Sequence, residues 1–161
     1  MARNWMKLGT AAAVAAVTAL AATPSLAEIK IGSVLAVTGP ASFLGDPEEK
    51  TLKMLVDEVN AQGGINGEQV ELVVYDSGGA AAKARTVAAR LDEDDEVDAV
   101  VGGSTSGATM AMIPVFQDAE IPFISLAGAV AIIDPVKEWV FKTPHTDRMA
   151  CEKIFTDLQD R

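Results

Sequence analysis

Three consecutive hydroxyl side chains, Ser104, Thr105 and Ser106, stand within the run Gly102-Gly103-Ser104-Thr105-Ser106-Gly107. The run follows an apolar segment and precedes a helical one. At a helix start the backbone N–H groups are unpaired and carry partial positive charge, so hydroxyls there suit a carboxylate or another small anion. An ordinary capped turn would use the same residues, its glycines chosen for tight geometry. The spacing of Gly103 and Gly107 also matches a nucleophile elbow, with Thr105 where Ser belongs and His145 as the one base candidate. A lone His, however, is more often structural. No G-x-G-x-x-G follows the first apolar run and no G-x-x-x-x-G-K-[ST] occurs, so neither dinucleotide nor nucleoside triphosphate is expected. No cofactor is expected either, nor a metal, since there is no His/Cys cluster and no EF-hand spacing.

The elements that must position these hydroxyls alternate strand and helix. Ile29, Ile31, Val34, Leu35 and Val37 predict a first strand, followed by a loop from Thr38 to Gly45. A helix is expected to begin at Asp46, with Pro47 in its first turn and Glu49 completing a capping box. Leu52, Leu55, Val56 and Val59 give it one apolar stripe, and Gly63-Gly64 ends it. Val70 to Tyr75 reads as a second strand, Ala80 to Leu91 as a second helix with Lys83, Arg85 and Arg90 on its wet face, and Asp92 to Glu96 as a solvated connection. Val97 to Val101 is a third strand, Ala108 to Ala119 a third helix and Ile121 to Leu126 a fourth strand. Trp139 to Thr143 reads as a short fifth strand, and Asp147 caps a final helix through Leu158.

Near-continuous apolar strands separated by helices predict an α/β fold with a parallel sheet covered on both faces. Ligands of such sheets sit beyond the carboxyl ends of the strands. Three loops share that edge: Thr38 to Gly45, Gly102 to Gly107, and Ala127 to Val130. They should meet in space. Most aromatics fall on strand and helix faces and are expected in the core, whereas Phe43 lies in one of the edge loops.

Residues 1–27 read as a cleavable secretory leader: Arg3 and Lys7, an apolar run from Leu8 to Ala22, then Ser25-Leu26-Ala27 with small residues at the first and third positions. The run is too short and too rich in alanine for a membrane anchor, so no stable membrane insertion is expected after cleavage. The mature chain from Glu28 carries 11 Lys and Arg against 23 Asp and Glu, a net of −12. Nucleic acid and anionic membrane surfaces are therefore unsuitable partners. Cys151 is the only cysteine, so an internal disulfide is excluded and stability must come from a packed core.

With these elements in place the chain resembles a known family, the periplasmic solute-binding proteins of branched-chain amino acid type ABC transporters, a leucine-binding-protein-like, type I group. The resemblance rests on Ile29-Lys30-Ile31-Gly32, Thr38-Gly39-Pro40, Gly45-Asp46, Val59-Asn60-Ala61-Gln62-Gly63-Gly64-Ile65-Asn66-Gly67, Val74-Tyr75-Asp76, Val101-Gly102 and Ile121-Pro122-Phe123-Ile124-Ser125. It implies two α/β lobes around a hinged cleft, each lobe a doubly wound parallel sheet, with 28–143 as lobe one and 144–161 as a hinge crossing and the start of lobe two. On this resemblance the chain is expected to stop before lobe two is complete.

The resemblance further implies a periplasmic, monomeric receptor rather than an enzyme, one that captures a small carboxylate-bearing solute and presents it to ABC permease subunits. Leu44 and Ser106 would line the cleft, with Ala127, Gly128 and Ala129 completing the first-lobe site. Together with Ser104 and Thr105 they would hold the carboxylate, while Phe43 and Leu44 shape the apolar side. Amino-acid-binding members tend to have Thr where Ala129 stands and an aromatic where Leu44 stands, so an aromatic or aliphatic acid is a live alternative ligand. A sensory module reporting to a signalling partner is the second reading, and an exported hydrolase the third. Gripped from one side only, a ligand loses much of its burial, and residues 28–161 alone are expected to bind it poorly or not at all.

Overall fold

A computed structural model describes residues 28–161 of the 161-residue chain. The leader expected over residues 1–27 lies outside the described residues. Five strands, β1 (Glu28–Leu35), β2 (Gln69–Asp76), β3 (Ala99–Gly102), β4 (Phe123–Ser125) and β5 (Val140–Lys142), form one parallel sheet in the order β2-β1-β3-β4-β5. They alternate with helices α1 (Ser42–Ala61), α2 (Ala81–Glu93), α3 (Ser106–Asp118) and α4 (Asp147–Gln159), and a 3₁₀ turn at Val130–Ile132 follows β4.

The chain reverses direction at β1. It steps outward to β2, then returns across β1 to β3 and continues to β4 and β5. Right-handed crossovers put α1 on one face of the sheet and α2 and α3 together on the other. The doubly wound α/β expectation therefore holds, and the switch between β1 and β3 opens a crevice at the carboxyl edge.

The main core lies between the sheet and the α2–α3 face. Val34 and Val100 from the sheet meet Ala84, Ala88 and Leu91 of α2 and Met112, Ile113 and Phe116 of α3, with Phe123 behind them. The rings of Phe116 and Phe123 sit 5.1 Å apart at a 56° tilt, a favourable aromatic geometry. Small alanines on α2 let the helix approach the sheet closely. Lys83, Arg85 and Arg90 are exposed, as their spacing predicts.

The other face is less covered. Leu52, Val56 and Val59 of α1 are half-buried, while Leu55 remains 46% exposed. Two aromatics expected in the core, Phe141 at 52% and Phe155 at 64% exposure, are on the surface instead. Phe141 projects from the edge strand, and no residue of α4 is buried. Among the described residues no helix is long and apolar enough to cross a membrane.

The start of α1 departs from expectation. The helix begins at Ser42, with Ala41 preceding it and no side-chain cap, and Pro47 lies inside it. Bonds from Ser42 N–H to the Gly39 carbonyl (3.1 Å) and from Leu44 N–H to the Ala41 carbonyl (3.0 Å) build the first turn before the expected cap. Asp46 and Glu49 pair instead with Lys50 and Lys53, each at 2.6 Å and one turn onward. The reason lies outside the local sequence: a Cβ on Gly45 would stand 2.3 Å from the carbonyl carbon and oxygen of Ala36. Helix and strand end touch backbone to backbone there, so the helix must already be formed at Gly45.

Candidate functional site

The second and third edge loops meet as expected, whereas the bonds that reach the second from the first side come from the end of β1 and not from the Thr38–Gly45 loop itself. Between the end of β1 and the second loop, Gly103 N–H donates to the Val34 carbonyl at 2.8 Å and Ala36 N–H donates to Ser104 Oγ at 3.0 Å. Between the second and third, Leu126 N–H reaches the Gly102 carbonyl at 2.9 Å and Ala129 N–H reaches Ser106 Oγ at 3.3 Å. Gly102 and Gly103 permit this crowding. A Cβ on Gly102 would stand 2.8 Å from the Val34 oxygen, and Gly103 (φ +75°) would place one 2.2 Å from Thr109 Oγ1.

The hydroxyls divide their work. Ser104 is buried and faces inward: its oxygen takes the Ala36 N–H, and its proton goes to Glu48 Oε2. With one proton to give, it has none left for a ligand. Thr105 is the residue before α3, in extended conformation, and its Oγ1 accepts from Ala108 N–H at 3.4 Å. This is a helix cap, unlike the strained turn that exposes a hydrolytic nucleophile. Ser106 is half-buried in the first turn of α3 and retains its hydroxyl proton after accepting from Ala129.

Thr109, buried in α3, ties the second and third loops from beneath. Its Oγ1 donates to the Gly103 carbonyl at 3.0 Å and lies 3.2 Å from Ser125 Oγ, which accepts from Ala127 N–H at 3.1 Å. Ala127 is buried, whereas Gly128 and Ala129 are half-buried. Phe43 (73% exposed) and Leu44 occupy the first turn of α1 rather than a loop. They project at the same sheet edge but make no part of the hydroxyl cluster.

Two residues that sequence reasoning passed over support the site. Glu48 bridges α1 to Ser104; burial pushes its carboxyl above the ordinary value, and the Ser104 hydrogen bond pulls it back down. Asp76, at the end of β2, accepts from Thr38 Oγ1 at 2.5 Å, Gly78 N–H at 2.8 Å and Thr38 N–H at 3.1 Å, with Lys83 Nζ 3.8 Å away. Burial pushes its carboxyl up, but these donors outweigh burial and hold its pKa at about 2. The Val74-Tyr75-Asp76 run ahead of two glycines was the available signal. Beside the cluster, an open groove of about 430 Å³ runs along α1, lined by Glu48, Leu52, Leu55, Val101 and Leu126 among others.

The donors left over at the crevice are the Ser106 hydroxyl and the first-turn amides of Ser106 and Gly107, which no helical carbonyl can take; the Ala108 amide is held by Thr105 and the Ala129 amide by Ser106. Such a set recognises negative charge. A family model described as periplasmic binding protein matches residues 28–158. The chain belongs to the periplasmic binding protein family. Within it the chain is leucine-binding-protein-like, and the Leu/Ile/Val-binding protein homolog 7 of Brucella abortus (strain 2308) is 36% identical over 145 residues, 87% of this chain and 35% of the relative.

Solved structures agree with the fold. The branched-chain amino acid transporter substrate-binding protein LivJ of Streptococcus pneumoniae, in complex with isoleucine, superposes with a TM-score of 0.72 and 35% identity, covering 75% of this chain and 35% of that one. An extracellular ligand-binding receptor of Rhodopseudomonas palustris HaA2 gives a TM-score of 0.68 and 31% identity, covering 75% and 33%. The chain thus spans about a third of the length of the relatives it matches.

Proposed function

We propose that the chain is the ligand-capturing part of an ABC importer's solute receptor in the periplasm, and that its crevice grips the carboxylate of a small solute. One observation carries the reading: the Ser106 hydroxyl, whose oxygen is fixed by the Ala129 N–H, and the free amides of Ser106 and Gly107 at the start of α3 are donors at one point of the carboxyl edge. The carboxylates nearby are each engaged by other donors, Glu48 by Ser104, Asp76 by Thr38 and Asp147 by the Val130 N–H. The membership of the family, and the isoleucine held by LivJ, make a branched-chain amino acid the first candidate. Phe43 and Leu44, exposed on α1, would supply apolar contact to its side chain.

Residues 28–143 would form one lobe and 144–161 the crossing toward a second. Closing two lobes on the ligand would select the form that the permease recognises. With one wall of the cleft present, binding by residues 28–161 is expected in the millimolar range, worth about 4 kcal/mol.

A ¹⁵N-labelled sample of residues 28–161, titrated with L-isoleucine and separately with benzoate, tests the reading. The amides of Ser106, Gly107 and Ala129 should shift together with either acid, and isoleucinamide should move them less. Ser106→Ala should weaken the response by about 1 to 2 kcal/mol. Shifts confined to other surfaces, or none up to solubility, would remove the crevice as a carboxylate site.

A further inference from the structure

The peptide unit joining Gly128 to Ala129 is held at both ends. Its carbonyl accepts from Lys142 Nζ at 3.1 Å and from Asp147 N–H at 3.1 Å. Its N–H, on Ala129, points to Ser106 Oγ at 3.3 Å. In a planar trans peptide the C=O and N–H are antiparallel, so whatever fixes the oxygen aims the hydrogen. The next amide is fixed as well, because Val130 N–H donates to Asp147 Oδ1 at 3.0 Å.

Lys142 reaches this carbonyl from the end of β5, where it pairs with Ser125 of β4. Its other two protons go to the carbonyls of Pro144 and His145, each at 3.1 Å. Three donors thus meet three acceptors. Every acceptor is a neutral carbonyl, and none of the ion pairs among the described residues includes Lys142. The ammonium thus makes no direct ion pair, and the nearest carboxylate tied to the same loop is that of Asp147, which holds the Val130 N–H.

We infer that Lys142 is a positioning residue for the ligand site, aiming the Gly128–Ala129 peptide so that its N–H occupies the Ser106 oxygen and the Ser106 hydroxyl proton is left for the bound carboxylate. The inference rests on the carboxylate reading proposed above. A cation at the oxygen end also polarises the peptide and strengthens its N–H as a donor, as hydrogen-bond chains do in a partly dry setting. Because the same ammonium holds the carbonyls of Pro144 and His145, the ligand loop and the chain's exit from β5 are fixed by one side chain.

Amide hydrogen exchange and ¹⁵N–¹H spectra of residues 28–161, wild type against Lys142→Met, test it. Without ligand, Lys142→Met should speed exchange at Ala129 by about tenfold or more while the α2 and α3 core amides keep their protection. On adding L-isoleucine, the Ala129 shift should shrink while that of Gly107 persists. Should Lys142→Met fail to fold, Lys142→Arg serves: its planar fork does not match the geometry of three carbonyls converging on one ammonium, so Ala129 should change in the same direction but less. Unchanged Ala129 exchange in a folded variant, with faster exchange only at 145–147, would overturn the inference and leave Lys142 a staple of the exit segment. A wild type that shows no isoleucine shift, with the Ala129 exchange effect intact, would instead sink the carboxylate reading and the positioning role with it.

Discussion

Asp76 shows how one carboxylate can organise two loops. Accepting from Thr38 and Gly78, it joins the end of β2 to the turn that leads into α1. Its folded pKa of about 2 lies below the 3.8 of the free group. A depressed acid contributes stability that is present above the unfolded value and is lost as pH falls through the folded one. Stability should therefore drop between about pH 4 and pH 2, by about 1 kcal/mol after allowance for solvent at a partly exposed site. Urea unfolding of Asp76→Asn across that range should show a flatter profile; a slope equal to the wild type's would remove Asp76 as its source. The hydroxyl cluster teaches the complementary lesson. Three adjacent hydroxyls were legible as a donor site, but which one faces the crevice depends on Ala36 and Glu48, 68 and 56 residues distant from Ser104. No local pattern carries that choice.

At the level of elements, strands and loops were more legible than helix starts. The apolar runs of β1, β2 and β3 read as strands because a sheet covered on both faces leaves no polar alternation to confuse the pattern. The entry to α1 misled because Asp46, Pro47 and Glu49 mimic a capping box, whereas the decisive contact is between Gly45 and Ala36 on another element. That contact is testable by thermal unfolding. Gly45→Ala should destabilise by about 1 to 3 kcal/mol, since backbone rather than a flexible side chain must give way. Gly107, also helical, has nothing within 4 Å of an added Cβ, so Gly107→Ala should be neutral or gain up to about 1 kcal/mol from helix propensity. Equal effects of the two would mean that α1 packs less tightly on β1 than the geometry requires.

Across the whole molecule, packing is lopsided. The α2–α3 side holds the fully buried Phe116, Phe123, Leu91 and Met112, whereas α4 presents Met149, Ile154, Phe155 and Leu158 to solvent. The sequence did carry a signal separating these groups, for α3 holds Asp118 as its one charged residue whereas α4 holds Asp147, Arg148, Glu152, Lys153 and Asp157. Phe116→Ala should cost about 3 to 5 kcal/mol, and Phe155→Ser less than about 0.5 kcal/mol. A large loss at Phe155 in denaturant melts would mean that α4 is held against the sheet. The fixed contact of Gly45 with Ala36 has a bearing on how such a receptor diversifies. Phe43 and Leu44 stand two residues and one residue before that anchor, with their side chains exposed. Like the pencil of a compass whose point is pinned, they can be exchanged for larger, smaller or flatter side chains while the turn that carries them stays where it is.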